Sequence, residues 1–338
     1  MHPNKTLIYK EYTPHLPVPD KHLVVESRPF DPEADPPPGG ITAKNQYLSF
    51  DPYMRGQMRL PDDTATYSMS WVEGEPAVVT TLSTVLKSNH PAFRPGDLVS
   101  AMADAGEFAA VPAHLATITR AHPPPPPGVT ITPTTLVGAL GIAGLAAYVS
   151  FFEFVPEPRA NKTLFVSAAS GGVGQLVGQI AKMHRMKELG FDAAWNYKAE
   201  KTSDALARLA SEGLDVYYDN VGGEQLESAL LAMKDFGTIV ESGMASQYNK
   251  PIEDNYGVKT LMQIVFKRLK VVGFICSDQH LLDKYLASFG VDMGRWLAEG
   301  KIKTREEMMI GMDNAPEAMI RTWQGDKFGK MVLKIDEE

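Results

Sequence analysis

The sequence predicts an α/β protein in which a β-domain is followed by a doubly wound parallel-sheet domain. Before about residue 125, short apolar runs such as LVVESR and PAVVTTLSTVL alternate with Pro and Gly turns and show little helical periodicity. After about residue 136, apolar strands alternate with helical segments, a pattern typical of βαβ units and a parallel sheet. The last apolar run, KFGKMVLKI, predicts a short strand that returns to the first domain.

Three of the predicted strands run into polar loops that contain glycine. They are NKTLFVSAAS, GLDVYYDNVGG and DFGTIVESG. Ligands of doubly wound sheets bind at the carboxyl ends of the strands. The sequence therefore predicts a binding site formed by these three loops.

Composition excludes several classes of function. The chain has 338 residues, of which 44% are hydrophobic and 22% charged, as in an ordinary globular protein. The net charge of −8 and the lack of a long basic run argue against nucleic acid and against an anionic membrane as partners. The N-terminus has no apolar signal segment, so we expect a cytoplasmic protein.

Residues 129–152 are uncharged over a length that could cross a bilayer. Pro133 and several threonines make the first half polar, and glycines dilute the second half. Flanking basic residues are also lacking. We therefore predict a buried helix here rather than a membrane span.

Metal chemistry is not expected either. Cys276 is the single cysteine, and the eight histidines are scattered along the chain, so a zinc site with several thiolates is excluded. Cys276 has no evident histidine partner that would activate it as a nucleophile, and a small apolar filler is the simpler interpretation.

A glycine turn joins the first strand of the second domain to a helix. Ala168, Gly171 and Gly174 form the pattern A-x-x-G-x-x-G. Glycine lets the backbone approach a diphosphate, and the exposed N–H groups of a helix N-terminus attract its charge. The turn predicts a dinucleotide site, and the alternative is that the glycines only make a tight turn. The residues assigned to the site are Ala168, Ser170, Gly171, Gly172, Val173 and Gly174.

Seven segments carry a resemblance that covers almost the whole chain. They are SFDPYMRGQM (49–58), GIAGLAAY (141–148), SAASGGVGQLVGQIAK (167–182), FDAAWNYK (191–198), YDNVGGEQL (218–226), ESGMASQYN (241–249) and FGKMVLK (328–334). Together they resemble the zinc-independent medium-chain dehydrogenase/reductase superfamily. Within it they are similar to the alkenal double-bond reductases, also called prostaglandin or leukotriene B4 reductases.

The resemblance implies a GroES-like β-domain and a Rossmann NADP-binding domain with the active site in the cleft between them. The GroES-like domain would comprise residues 1–130, completed by 301–338, and the Rossmann domain residues 131–300. The implied cofactor is NADPH (NADP+) without a metal, and the implied assembly is a homodimer formed near VVGFICS.

The reaction that the resemblance implies is reduction of the C=C bond of an α,β-unsaturated aldehyde or ketone. Hydride from the nicotinamide reaches the β-carbon, and the carbonyl oxygen gains charge that a hydroxyl must stabilise. By resemblance, Tyr248 lies beside the nicotinamide ribose and Tyr53 in the substrate cleft. The phenol of Tyr248 is protonated at neutral pH. Two alternatives stay open: Tyr248 only orders the ribose, and Tyr53 only packs in the core.

The resemblance also assigns the other cofactor contacts. Asn220 would bond the nicotinamide ribose, and Gly243 and Ser246 would lie along the cofactor. The backbone of residues 274–277 would face the nicotinamide carboxamide. The residues named for these roles, with two possible contacts at the adenosine end, are Asn220, Gly243, Ser246, Phe274, Ile275, Cys276, Tyr197 and Lys198.

The chain departs from the family near residues 183–187. Taken alone, residues 163–198 form one βαβ unit with AAWNY as its second strand. Against the family, FDAAWNYK matches the third strand, so the second strand and the basic residue that selects NADPH are lacking around His184–Met186. Either AAWNY moves beside the first strand, or the domain is damaged, or the sequence as written has lost a segment.

Three functions stay open from the sequence. The first is an NADPH-dependent reductase of α,β-unsaturated aldehydes or ketones. The second is a quinone reductase or an enoyl reductase of secondary metabolism. The third, suggested by the shortened Rossmann segment, is a degenerate nucleotide-binding or scaffold protein without catalysis. Lys327, where the family usually has Asn, is expected to alter one cofactor hydrogen bond.

Overall fold

The computed structural model describes residues 1–60, 66–124, 131–184, 187–189 and 192–336. The chain forms two compact units, Met1–Gly141 with Arg305–Glu338, and Ile142–Thr304. Both boundaries lie after the predicted ones at residues 130 and 300. Within the stretch predicted to be a buried helix, residues 129 and 130 lie outside the described part of the chain.

The N-terminal part of the first unit consists mainly of β-strands. After the third strand, a 3-10 turn follows at Pro52–Gln57. The strands and helices in this part are β1 (His2–Tyr9), β2 (Leu23–Phe30), β3 (Ile41–Ser49), β4 (Val78–Ser88), β5 (Leu98–Asp104), β6 (Phe108–Val111), α1 (Ala113–Ala116), β7 (Arg120–Ala121) and α2 (Pro133–Val137). The prediction of a β-rich first domain is confirmed.

The second unit alternates helices and strands. Its elements are α3 (Ile142–Phe154), β8 (Thr163–Val166), α4 (Gly174–Met183), β9 (Lys187–Leu189), α5 (Thr202–Leu209), β10 (Leu214–Asp219), α6 (Gly223–Ala232), β11 (Met233–Glu241), α7 (Met262–Phe266), β12 (Lys270–Gly273) and α8 (Gln279–Ala298). The strands pair in the order β12-β11-β10-β8-β9, and every pair is parallel. The predicted parallel sheet is confirmed.

The strand beside β8 is not the one predicted. Lys187–Leu189 pairs with β8 in the register Thr163↔Lys187 to Phe165↔Leu189. The prediction that AAWNY (193–197) forms this strand is wrong, because its central residues lie outside helices and strands. The Trp195 ring instead packs on Phe165, with 5.1 Å between the ring centroids. A three-residue strand with two charged residues shows no apolar run, so the sequence pattern did not reveal it.

The C-terminal segment completes the first unit, as predicted. It forms β13 (Glu306–Ile310), α9 (Ala315–Gln324) and β14 (Lys330–Lys334). Strand β14 pairs with β13 in parallel and with β3 in antiparallel orientation. The strand order is β13-β14-β3-β4-β5-β7, with β6 against β3, and Met319 and Trp323 of α9 pack in the core of this unit.

Helix α3 is largely buried, as expected for the uncharged stretch in which it lies. Its hydroxyl residue Ser150 bonds the Tyr218 hydroxyl of β10, with 2.8 Å between the oxygen atoms. Among the described residues, every helix is too short or too polar to span a bilayer.

A buried lysine joins β14 to the end of β3. Lys330 Nζ donates to the carbonyl oxygen of Phe50 at 2.5 Å and lies 3.1 Å from Asp51 Oδ1. Burial lowers the pKa of Lys330, and the Asp51 carboxylate opposes that effect. Asp51 Oδ2 is buried without a donor among the described residues, so the ammonium group is the main compensation for this carboxylate.

We predict that Lys330→Met lowers the free energy of unfolding by about 3 kcal/mol, because Asp51 would remain as a buried, unpaired charge. Lys44→Met is the matched control. Lys44 forms an exposed pair with Asp336 at 3.2 Å, which contributes about 1 kcal/mol or less. Urea unfolding of the three proteins measures both effects. Equal midpoints for the two variants would contradict the role given to Lys330.

Candidate functional site

The glycine turn lies between β8 and α4. Ala168 takes the left-handed conformation, with φ of 48°, and its carbonyl oxygen accepts a hydrogen bond from the N–H of Gly171 at 2.9 Å. A Cβ on Gly174 would lie 2.4 Å from this carbonyl oxygen and 2.8 Å from Ala169 Cα. Gly174 is therefore required for the helix to begin this close to the turn.

Three backbone N–H groups at this turn lack a hydrogen-bond acceptor among the described residues. The N–H groups of Gly172, Val173 and Gly174 meet no acceptor in the part of the chain that the structure describes. They stand at the start of a ten-residue helix, where N–H groups and the helix dipole attract anions. Ser170, on the same turn, is exposed. The turn therefore fits the diphosphate of a dinucleotide.

Asn220 fixes the end of β10 to the end of β8. Its side-chain amide donates to the Ser167 carbonyl oxygen, and its backbone N–H donates to Ser167 Oγ, both at 2.8 Å. These bonds leave the amide oxygen of Asn220 as an acceptor for a ligand. The predicted bond to a ribose hydroxyl fits this geometry.

The loops after β10 and β11 pack on each other. The N–H of Ala245 donates to the Asn220 carbonyl oxygen at 3.2 Å, and Ser246 donates to the Val221 carbonyl oxygen through its N–H at 3.1 Å and its Oγ at 2.6 Å. A Cβ on Gly223, whose φ is 59°, would lie 2.9 Å from Ser246 Oγ. The two loops therefore form one surface.

Tyr248 lies on this surface with its hydroxyl oriented by the backbone. The N–H of Met244 donates to Tyr248 Oη at 3.2 Å, and a Cβ on Gly243 would approach the same oxygen to 2.9 Å. Burial raises the pKa of the phenol, so the hydroxyl stays protonated well above neutral pH. Its hydrogen has no acceptor among the described residues, and it can therefore donate to a ligand.

Residues 274–276 follow β12 at the same edge of the sheet. Gly273 and Glu241 are register partners, so the segment after β12 begins beside the loop after β11. Phe274, Ile275 and Cys276 are partly buried there. The Phe274 ring packs on Phe154, with 5.6 Å between the centroids.

Tyr197 and Lys198 lie in a turn before α5. Tyr197 is 55% exposed, and the N–H of Lys198 donates to Asn196 Oδ1 at 3.0 Å. These contacts are local, so the assignment of both residues to the adenosine end stays a prediction.

Tyr53 belongs to the first unit, unlike the residues above. It lies in the 3-10 turn Pro52–Gln57, partly buried against the core, with its ring centroid 6.5 Å from that of Tyr67. Buried Arg55 holds the turn by donating to the carbonyl oxygens of Thr13 and His15 at 2.6 and 2.9 Å. The structure thus shows a packing role for Tyr53, and its contact with a substrate stays a prediction.

The sequence reasoning missed the acidic residues beneath this surface. Asp219 ends β10, Glu241 ends β11, and both stand in segments quoted for the resemblance. Asp219 accepts hydrogen bonds from the loop that begins with Asn220. The available signal was an acidic residue at each of two strand ends, but pairing them requires the register of the sheet.

Among the described residues, no group of three His, Cys, Asp or Glu side chains could hold a metal ion. This finding concerns only side chains within those ranges.

Comparison with known proteins defines the class. Residues 15–118 match the family model for the N-terminal domain of oxidoreductase, and residues 176–289 match the model named zinc-binding dehydrogenase. An NADP-dependent oxidoreductase of Cochliobolus heterostrophus is 41% identical, with 99% of this chain and 98% of that protein covered. An NADP(+)-dependent 2-alkenal reductase of Nicotiana tabacum is 36% identical, with 99% and 98% covered.

Solved structures agree with these relatives. The crystal structure of CurA from Vibrio vulnificus superposes with a TM-score of 0.85 at 28% identity and covers 99% of both chains. The structure of CurA in complex with NADPH gives a TM-score of 0.84. The chain belongs to the zinc-independent medium-chain dehydrogenase/reductase family, and the predicted fold class is confirmed.

The comparison also shows that this chain lacks residues that a relative has. The alignment with the Cochliobolus heterostrophus protein runs over 352 positions, whereas this chain has 338 residues. The relative therefore carries residues that this chain lacks.

We predict that Gly174→Ala destabilises the protein by about 2 kcal/mol, because the added methyl group would force the turn away from α4. Gly294→Ala in α8 is the control, since its Cβ would have no neighbour within 4 Å and alanine favours a helix. Thermal unfolding of both variants tests the difference. An unchanged melting temperature for Gly174→Ala would contradict the close approach.

Proposed function

We propose that the protein is an NADPH-dependent reductase of the C=C bond of α,β-unsaturated aldehydes or ketones. The observation that carries the proposal is the set of three N–H donors at the start of α4 that have no acceptor in the described ranges. They lie at the carboxyl edge of a parallel sheet, where this class of fold binds nucleotides. The similarity to a 2-alkenal reductase of tobacco supports the substrate class, and the similarity to CurA, solved with NADPH, supports the cofactor.

In this proposal the residues of the second unit bind and orient the cofactor. The N–H groups of Gly172, Val173 and Gly174 bind the diphosphate, and Asn220 and Ser246 bind along the nicotinamide half. Bound NADPH supplies the hydride. Among the described residues, the N–H groups of Gly172, Val173 and Gly174 meet no internal acceptor, and the bonds of Asn220 leave its amide oxygen available, so the chain fits this group.

Tyr248 supplies the hydrogen-bond donor that the reaction needs. Met244 orients its oxygen, and burial keeps its hydrogen in place by raising the pKa. A carbonyl oxygen that gains negative charge would accept this hydrogen bond. We assign Tyr53 to substrate contact in the first unit. The proposed reaction includes no metal, because the Tyr248 hydroxyl can meet the developing charge.

The proposal includes a cytoplasmic homodimer. Strand β12 stands at one end of the sheet order and pairs with β11, while Lys270 and Val271 are exposed. The edge strand of a second copy of this chain would satisfy its remaining backbone groups.

We expect saturable NADPH binding with a Kd in the micromolar range or tighter, followed by nicotinamide fluorescence, and turnover of 2-alkenals and enones. NADH is the control nucleotide, and a quinone is the control substrate. Turnover of quinones without enones would favour a quinone reductase. Absence of NADPH binding would favour the hypothesis of a scaffold protein without catalysis.

Tyr248→Phe is expected to lower kcat about 100-fold while changing the Kd of NADPH only a few-fold, because the phenol is a donor in the reaction. Tyr256→Phe is the matched control, since the Tyr256 hydroxyl bonds Glu227 at an exposed position. Because the pKa of Tyr248 is raised, wild-type kcat should not fall through loss of this proton up to about pH 9. Full activity in the Tyr248→Phe variant would restrict Tyr248 to ordering the ribose.

A further inference from the structure

Two carboxyl groups lie side by side beneath the proposed cofactor surface. Asp219 and Glu241 end the neighbouring parallel strands β10 and β11, and they are register partners. Asp219 is fully buried, and Glu241 is partly buried. The proposed function assigns neither residue a role.

One oxygen of Asp219 is saturated with donors. Asp219 Oδ1 accepts hydrogen bonds from Tyr217 Oη at 2.7 Å and from Ser167 Oγ at 3.0 Å. It also accepts the backbone N–H groups of Val221 and Gly222, each at 2.8 Å. Four donors on one oxygen favour the ionised form of Asp219.

One oxygen of each carboxyl group lacks a hydrogen-bond donor within the described part of the chain. Asp219 Oδ2 and Glu241 Oε2 are both buried, and neither meets a hydrogen-bond donor among the described residues. As register partners on neighbouring parallel strands, the two residues have Cα atoms about 5 Å apart, and their side chains leave the same face of the sheet. A single proton on Glu241, donated to Asp219 Oδ2, would satisfy both groups at once.

We propose that Asp219 and Glu241 share one proton, and that this proton positions the two loops that bind the nicotinamide half of the cofactor. Asp219 holds the N–H groups of the loop after β10, and Glu241 is followed directly by the loop that carries Gly243, Ser246 and Tyr248. The shared proton itself follows from the carboxyl geometry. Its effect on the cofactor rests on the proposed function.

Loss of the proton would place two negative charges side by side in a buried position. Burial and the charge of Asp219 raise the pKa of Glu241 to about 8, and burial also raises the pKa of Asp219 against its hydrogen bonds. The proton is therefore bound at neutral pH and lost as the pH rises through about 8. Repulsion would then separate the strand ends and oppose a bound diphosphate.

The groups that face the pair do not titrate in the same range. Tyr217 on β10 and Tyr248 in the loop after β11 have raised pKa values and stay protonated. No lysine, arginine or histidine of the described residues pairs with either carboxyl group. Lys327 of the first unit does titrate in this range, because burial lowers its pKa to about 8. A variant of Asp219 or Glu241 is therefore needed to assign a pH effect on NADPH binding to the carboxyl pair.

The experiment compares the Kd of NADPH at pH 7 and pH 9 by nicotinamide fluorescence. For the wild type we expect the Kd of NADPH to rise about tenfold, because pH 9 lies one unit above the pKa of Glu241. For Glu241→Gln we expect a change below about twofold, because the amide N–H replaces the shared proton at both pH values. Glu212→Gln, at an exposed position, should behave as the wild type. An unchanged pH dependence in Glu241→Gln would overturn the proposal.

Infrared spectroscopy of the protein without nucleotide tests the shared proton separately. We expect a protonated-carboxyl C=O band that disappears near pH 8 in the wild type and is missing in Glu241→Gln. Tyr217→Phe is a second test if Glu241→Gln does not fold. It removes one hydrogen bond to ionised Asp219, so the pH midpoint at which the band disappears should rise. A wild type without this band would overturn the shared proton. A band without NADPH binding would support the proton and overturn the proposed function.

Discussion

The proposed cofactor site depends on the hydrogen bonds that the buried Asp219 carboxylate accepts. This carboxylate binds Ser167 after β8, lies beside Glu241 at the end of β11, and accepts N–H groups from the turn Val221–Gly222. Loops after parallel strands have no ladder partners of their own, so side chains such as Asp219 hold them together with a few backbone hydrogen bonds. One buried acidic group therefore connects three strand ends to the surface above them.

Close backbone approach is the second constraint, and it follows from the first. With the strand ends held together, the loops after β10 and β11 leave no room for side chains at Gly222 and Gly223, both of which have positive φ. The same holds for Gly174 at the start of α4. At the glycine turn, the N–H groups of Gly172, Val173 and Gly174 meet no acceptor among the described residues, which makes them available to an anionic ligand.

The shortened segment has less effect on the sheet than its length suggests. Strand β8 is hydrogen-bonded on both sides, to β10 and to the three residues of β9. Trp195, which the sequence pattern placed in a strand, instead covers Phe165 of β8. Strand β8 thus keeps a neighbour on each side, although relatives of the chain carry additional residues.

Local patterns in the sequence determined the order of elements, the glycine turn and the return of the last strand. Periodicity and glycine spacing act over a few residues, so they can be read without the fold. Only the tertiary structure decided that Lys187–Leu189 lies beside β8, that Lys330 meets Asp51, and that Asp219 faces Glu241. These pairings join residues far apart in the chain, and strand register and core packing, rather than any local pattern, set which groups meet.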